Sequence, residues 1–174
     1  MKRITIIIFL LSINFSFSQK KELRKAQKLF DGGDIAAASQ VLTEFQSILE
    51  SADQKVKPRY QFLKGKIAQQ NKEFKIAYDL FNNIKENSSL KEEVTQQMLL
   101  LSADIVNSAI DDNSAGNFKA STEKLYMAYN IDPEANQDYL YFAASSAVNA
   151  DMFEAALSYY IKLKEIKYTG VVTK

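Results

Sequence analysis

The sequence predicts an all-α fold, a stack of about four helix–turn–helix hairpins. Three observations carry that expectation. Only five Gly and two Pro occur in 174 residues, which argues against a turn-dense β fold and for long helices. Apolar residues make up 47% and charged residues 25%, the ordinary balance of a chain that folds around a core. One pattern of apolar and small residues recurs four times along the chain. The same composition closes off much chemistry. Without Cys there is no disulfide, thiolate nucleophile, iron–sulfur cluster or lipid-bearing N-terminal cysteine. Without His there is no Ser-His-Asp triad and no imidazole ligand for zinc, copper or haem. Carboxylate, Lys or Tyr chemistry stays open. A formal net charge of +1 supplies no global field for nucleic acid.

Residues 1–18 read as a secretory signal peptide. Lys2 and Arg3 are a short basic start, Ile4 to Leu11 is apolar apart from Thr5, and Ser16 and Ser18 are the small residues before a cut ahead of Gln19. A membrane anchor fits worse, because the apolar run is far shorter than the roughly 20 residues that span a bilayer. The expected mature chain is exported, periplasmic or otherwise in the cell envelope, with no transmembrane segment. It carries 20 basic and 21 acidic residues, which weakens a nucleic-acid role further.

The four repeats run over about residues 19–168. Each opens on an apolar anchor, has a small residue three later, a large apolar residue four after that, and another apolar residue three further on. The sets are Ile35, Ala38, Leu42 and Phe45; Phe74, Ala77, Phe81 and Ile84; Phe118, Ser121, Leu125 and Ala128; and Phe153, Ala156, Tyr160 and Leu163. That 3, 4, 3 spacing keeps each set on one face of a helix. A preceding helix is expected in each unit. It is marked by Ala26 and Leu29, by Gly65 and Ala68, by Ile105 and Ala109, and by Leu140, Ala144 and Ala147. The anchors lie 39, 44 and 35 residues apart. Relative to a period near 34, the first two junctions then carry insertions of roughly five and ten residues.

These units resemble the tetratricopeptide repeat (TPR) family. The third matches through Gly116, Asn117 and Phe118 and through the closing Ala128, Ile131, Asp132 and Pro133. The fourth matches through Asp151, Phe153, Glu154, Ala155, Ala156 and Tyr160, and the second through Gly65, Ala77 and Phe81. The aromatic that often opens the first helix is missing in several units, and Pro closes only one. The resemblance implies a right-handed superhelical stack of TPR-like hairpins whose first helices line a concave groove that binds a protein or peptide. By that analogy the groove residues are Lys20, Leu23, Gln27, Arg59, Phe62, Lys66, Val106, Ile110, Asp138, Tyr141 and Ser145. No cofactor, metal or catalytic residue is implied. Some family members hold a partner's terminal carboxylates with Lys, Asn and Arg on successive first helices. Leu23, Gln27 and Phe62-Leu63 stand at the comparable places here, against that specialisation.

Local signals refine the boundaries. Asp34 and Asn117 read as N-caps, and Asp151 with Glu154 and Ser89 with Glu92 as capping boxes. Pro58 and Pro133 suit the first position of a helix behind Lys57 and Asp132. Asn87-Ser88-Ser89 and Asp111-Asp112-Asn113-Ser114 read as polar loops, with a lengthened helix from about Leu90 to Ile110 between them. The last hairpin ends near Lys167, and Tyr168, Val171 and Val172 in the short tail are more strand-like. No polar capping helix follows. The expectation is a longer array, or self-association through the uncapped C-terminal hairpin.

Charge is uneven. Residues 19–75 hold 12 basic and 7 acidic residues, residues 76–174 hold 8 and 14. Lys20, Lys21, Arg24, Lys25 and Lys28 share one helix, which suits a solvated face, an acidic partner or an anionic surface. Three functions compete. The first is an exported, non-enzymatic scaffold or adaptor. The second is a structural or self-assembling arm of a larger envelope complex. The third is a helical carboxylate hydrolase or glycan binder, for which Asp111 and Asp112 would need converging partners.

Overall fold

The computed structural model describes residues 19–53, 55–87 and 89–170. The signal-peptide reading of residues 1–18 lies outside these, as do Val171 and Val172. Among the described residues every regular element is a helix. α1 covers 19–31. It is followed by α2 (Ile35–Glu44), α3 (Gln46–Glu50), α4 (Lys57–Gln70), α5 (Phe74–Ile84), α6 (Lys91–Ser114), α7 (Phe118–Ile131), α8 (Gln137–Asn149) and α9 (Phe153–Glu165). None is long and apolar enough to cross a membrane.

Each of the four anchors is the first residue of its helix: Ile35 of α2, Phe74 of α5, Phe118 of α7 and Phe153 of α9. The turns before them share one geometry. The residue two before each anchor is left-handed: Gly33 at φ 84°, Lys72 at 61°, Gly116 at 77° and Asp151 at 56°. The next residue donates its N–H back to the carbonyl five positions earlier. The pairs are Asp34 to Leu29 (2.9 Å), Glu73 to Ala68 (2.8 Å), Asn117 to Asp112 (2.8 Å) and Met152 to Ala147 (2.9 Å). This is the Schellman closure, which satisfies carbonyls left over at a helix end. A fifth copy ends α9, with Lys167 at φ 56° and Tyr168 N–H on Leu163 O at 3.0 Å.

The chain forms two compact units, one ending at Gln97 and one beginning at Met98, and α6 contributes to both. In the N-terminal unit, Ala26, Ala38, Val41, Leu42, Leu49, Val56, Tyr60, Leu63 and Ile67 form a core under Leu23, Phe30, Ile35 and Phe45. The small residues work as the spacing requires. Gly65 on α4 faces the ring of Phe81 on α5, and Phe81 is fully buried. In the C-terminal unit, Leu140, Ala143, Ala144 and Ala147 bury one face of α8 at helical spacing. Tyr126 and Tyr159 stack at 4.6 Å beside this core.

Several boundary expectations need correction. α2 stops at Glu44, and Phe45 is the joint to the short α3 rather than the last residue of one face. α3 and the segment after it account for the first insertion. α6 runs to Ser114, so Asp111 to Ser114 are its last turn, not a loop. Asp112 is held there by Lys124, and the Ser114 hydroxyl donates to Ile110 O at 2.9 Å. Asp34 does cap α2, accepting from Ala37 N–H at 3.0 Å, whereas Asn117 sits at the N-cap of α7 with no side-chain bond. Neither capping box forms. Ser89 turns instead to Asn87 Oδ1, which accepts from its N–H and hydroxyl, and Met152 stands at the N-cap of α9 because Asp151 supplies the left-handed turn. Pro58 is the second residue of α4, not the first. Pro133 lies in a turn before α8, where Asp132 Oδ1 accepts from Ala135 N–H at 3.1 Å and Asn136 takes the N-cap position. Residues 168–170 are irregular rather than strand.

Candidate functional site

The N-terminal unit carries a cleft of about 540 Å³. α1 supplies Lys20, Leu23, Arg24, Gln27 and Asp31, which recur every three or four residues and so share one face. α4 supplies Arg59, Phe62 and Lys66 at the same kind of spacing. Lys55 and Val56 enter from the segment before α4, and Glu93 from the start of α6. Phe62 is seated by Phe81, ring to ring at 5.6 Å. Lys66 Nζ lies 4.6 Å from the centre of the Phe30 ring and 5.9 Å from that of Phe62, so its charge is placed over aromatic faces. Gln27 donates to Asp31 Oδ1 at 2.8 Å. Arg59 and Glu93 approach to 3.8 Å with both side chains about half exposed, a geometry worth about 1 kcal/mol or less.

The C-terminal unit has a second, more apolar cleft of about 320 Å³. Val106, Ala109 and Ile110 of α6 face Leu125 of α7 and Tyr139, Phe142 and Ser145 of α8 across it. Ser121, fully buried on the same wall, has a hydroxyl with no hydrogen-bond partner among the described residues.

The eleven residues expected on the groove thus separate. Lys20, Leu23, Gln27, Arg59, Phe62 and Lys66 all line the first cleft. Val106, Ile110 and Ser145 line the second. Asp138 and Tyr141 line neither; they meet Tyr168, whose hydroxyl donates to Asp138 Oδ1 at 2.6 Å and whose ring lies 6.0 Å from that of Tyr141. Burial first, and the Asp138 carboxylate second, push the Tyr168 hydroxyl up to about 12. The expected groove set lacks Asp31, Lys55, Val56 and Glu93 of the first cleft and Leu125, Tyr139 and Phe142 of the second, and it lacks Arg24, which the sequence places only in the basic cluster of the first helix. Arg24 and Asp31 share the α1 face of Lys20, Leu23 and Gln27 and follow from its spacing. Lys55 lies in a segment with no periodicity, and no signal pointed to it.

One polar constellation elsewhere has an ordinary explanation. Lys124 Nζ donates to Asp112 Oδ2 at 2.5 Å and to Ser108 Oγ at 2.7 Å, with both charged side chains largely buried. An ammonium so committed has no lone pair to take the serine proton, and the trio ties α7 to α6. Among the described residues no group of three or more Asp and Glu is placed to hold a metal ion. No protein-family model matches the chain, and neither the curated proteins nor the solved structures give a match.

Proposed function

We propose that the protein is an exported, non-enzymatic scaffold or adaptor of TPR-like architecture, holding a protein or peptide partner in the clefts of its first-helix faces. One observation carries this reading. Eight side chains from two successive first helices, five on α1 and three on α4, converge on one concave surface with half-buried apolar residues among exposed charged ones. Such a surface buries a partner's side chain and orients it with charged groups, and no acid, base or nucleophile needs to be added to make it useful. The four equivalent turns support a repeat array, in which each hairpin stacks on the next to bury its remaining apolar face. Residues 1–18 support export to the periplasm or another part of the envelope.

Affinity capture of the mature chain from its native envelope fraction, with protein identification, tests this. A specific partner that is lost on Phe62→Ala or Ile110→Ser, with helicity unchanged, is the expected result. A chemical activity with no captured partner would end the adaptor reading.

A second reading, a self-assembling or structural arm, has its own observation. α9 exposes Phe153 (59%), Leu157 (62%), Tyr160 (40%) and Ile161 (48%) along one stripe, although Phe153 and Tyr160 occupy places that are core-facing by their spacing. Concentration-dependent size in solution would favour this reading over a monomeric adaptor.

A further inference from the structure

Resting on the adaptor reading, we infer that the N-terminal cleft selects an acidic peptide segment that also carries a large apolar side chain. The lining of the cleft is predominantly basic. Lys20, Arg24, Lys55, Arg59 and Lys66 ring the cleft, against only Asp31 and Glu93. Glu93 pairs with Arg59, whereas Asp31 accepts only from the neutral Gln27 amide and keeps its charge, so the lining carries a formal +3. Lys20, Arg24 and Lys55 form no ion pair among the described residues. These three exposed cations line the cleft from α1 and from the segment before α4. An excess of like charge along one cleft is unfavourable, and a bound anion relieves it.

Leu23 and Phe62 present half-buried apolar surface between the cations, with Val56 buried beneath. A hydrated polyanion such as a nucleic acid gains nothing from that surface, while a Leu or Phe flanked by Glu gains from both parts of the site. A flat anionic lipid surface would meet the rim but not enter a concavity of about 540 Å³. A peptide is the occupant that uses the whole cleft. The distribution of the cations also bears on selectivity. They stand on α1, on the segment before α4 and along α4, so the site fits carboxylates spaced along an extended segment rather than a single terminal carboxylate.

The test is fluorescence anisotropy of the protein with a labelled peptide in which Glu alternates with Leu and Phe. Two control peptides replace every Glu by Gln, or every Leu and Phe by Ser. The expected result is saturable binding that weakens with salt, and a loss of about tenfold or more with either control peptide. The double variant Arg24→Glu, Lys55→Glu is expected to lose at least as much, and the milder pair Arg24→Gln, Lys55→Gln to fall between, with helicity as the check on folding. Equal binding of the Gln peptide, or full binding by the charge-reversed protein, would overturn the inference. So would binding to phosphatidylglycerol vesicles with none to the peptide. If the native partner is captured and its capture needs Ile110 but tolerates the charge reversal, the inference falls and the adaptor reading stands. If the peptide binds as expected but no partner is ever captured, the cleft's selectivity stands and the adaptor reading falls.

Discussion

Gly65→Ala tests how tightly α4 and α5 approach. A β-carbon on Gly65 would lie 2.5 Å from Cε1, 2.9 Å from Cδ1 and 3.0 Å from Cζ of Phe81. The Phe81 ring is fully buried and lies against Phe62 at 5.6 Å, so it cannot swing away into solvent. Overpacking of this kind costs about 1–3 kcal/mol, and contacts this short belong near the upper end. Replacing a mid-helix Gly by Ala returns about 1 kcal/mol of helix propensity. The net expectation is a loss of about 1–2 kcal/mol. In urea, with a slope of about 2 kcal/mol/M, the midpoint followed by circular dichroism should fall by roughly 0.5–1 M. The double variant Gly65→Ala, Phe81→Leu supplies the control. In the Phe81→Leu background the new methyl has room, so the same change should be neutral or stabilising, a coupling of about 2 kcal/mol. A Gly65→Ala protein as stable as the parent, or additivity in the double variant, would refute this account of the helix contact and of the surface behind Phe62.

Ser121→Ala should stabilise the protein by about 1–2 kcal/mol, since it removes a buried hydroxyl that has no partner; a lower urea midpoint would contradict this. Lys72→Gly should be neutral or stabilising by up to about 1 kcal/mol, because Lys72 holds φ 61° where Gly has no steric penalty; a clear loss of stability would count against the left-handed turn. Tyr168→Phe should flatten the alkaline limb of the stability profile. The folded Tyr168 hydroxyl sits at about 12 against an ordinary 10 in the unfolded chain, so its contribution is complete below pH 10 and is lost as pH rises through 12. Tyr60 and Tyr159, also raised by burial, leave part of that slope in place, and an unchanged slope in the variant would contradict the assignment.

The helical register was legible at the small residues, where burial follows spacing, but not at Phe153 and Tyr160 of the fourth set, which are exposed. Ala38, Ala77, Ser121 and Ala156 are all buried where the spacing put a small residue at a helix contact. Element ends were less legible, because several polar side chains do local work that periodicity does not reveal. Asp111 to Ser114 look like a loop until Lys124, 12 residues beyond Asp112, is seen to hold the turn helical. Lys72 and Asp151 do for their turns what Gly33 and Gly116 do for theirs, and nothing in a Lys marks it as left-handed. The cleft was most legible where α1 and α4 keep strict helical spacing. On α8 two of the three expected positions are one residue out: Tyr139 and Phe142, not Asp138 and Tyr141, line the second cleft, while Ser145 lines it as expected.

The central claim, that a partner protein enters the N-terminal cleft, is tested most directly by site-specific photo-cross-linking. A benzophenone side chain replaces Phe62, which lines the cleft, or Ile76, which is exposed on α5 of the same unit outside it. A discrete, identifiable adduct is expected in the native envelope fraction from position 62 and none from position 76. The same adducts from both positions, or none from position 62, would contradict that claim.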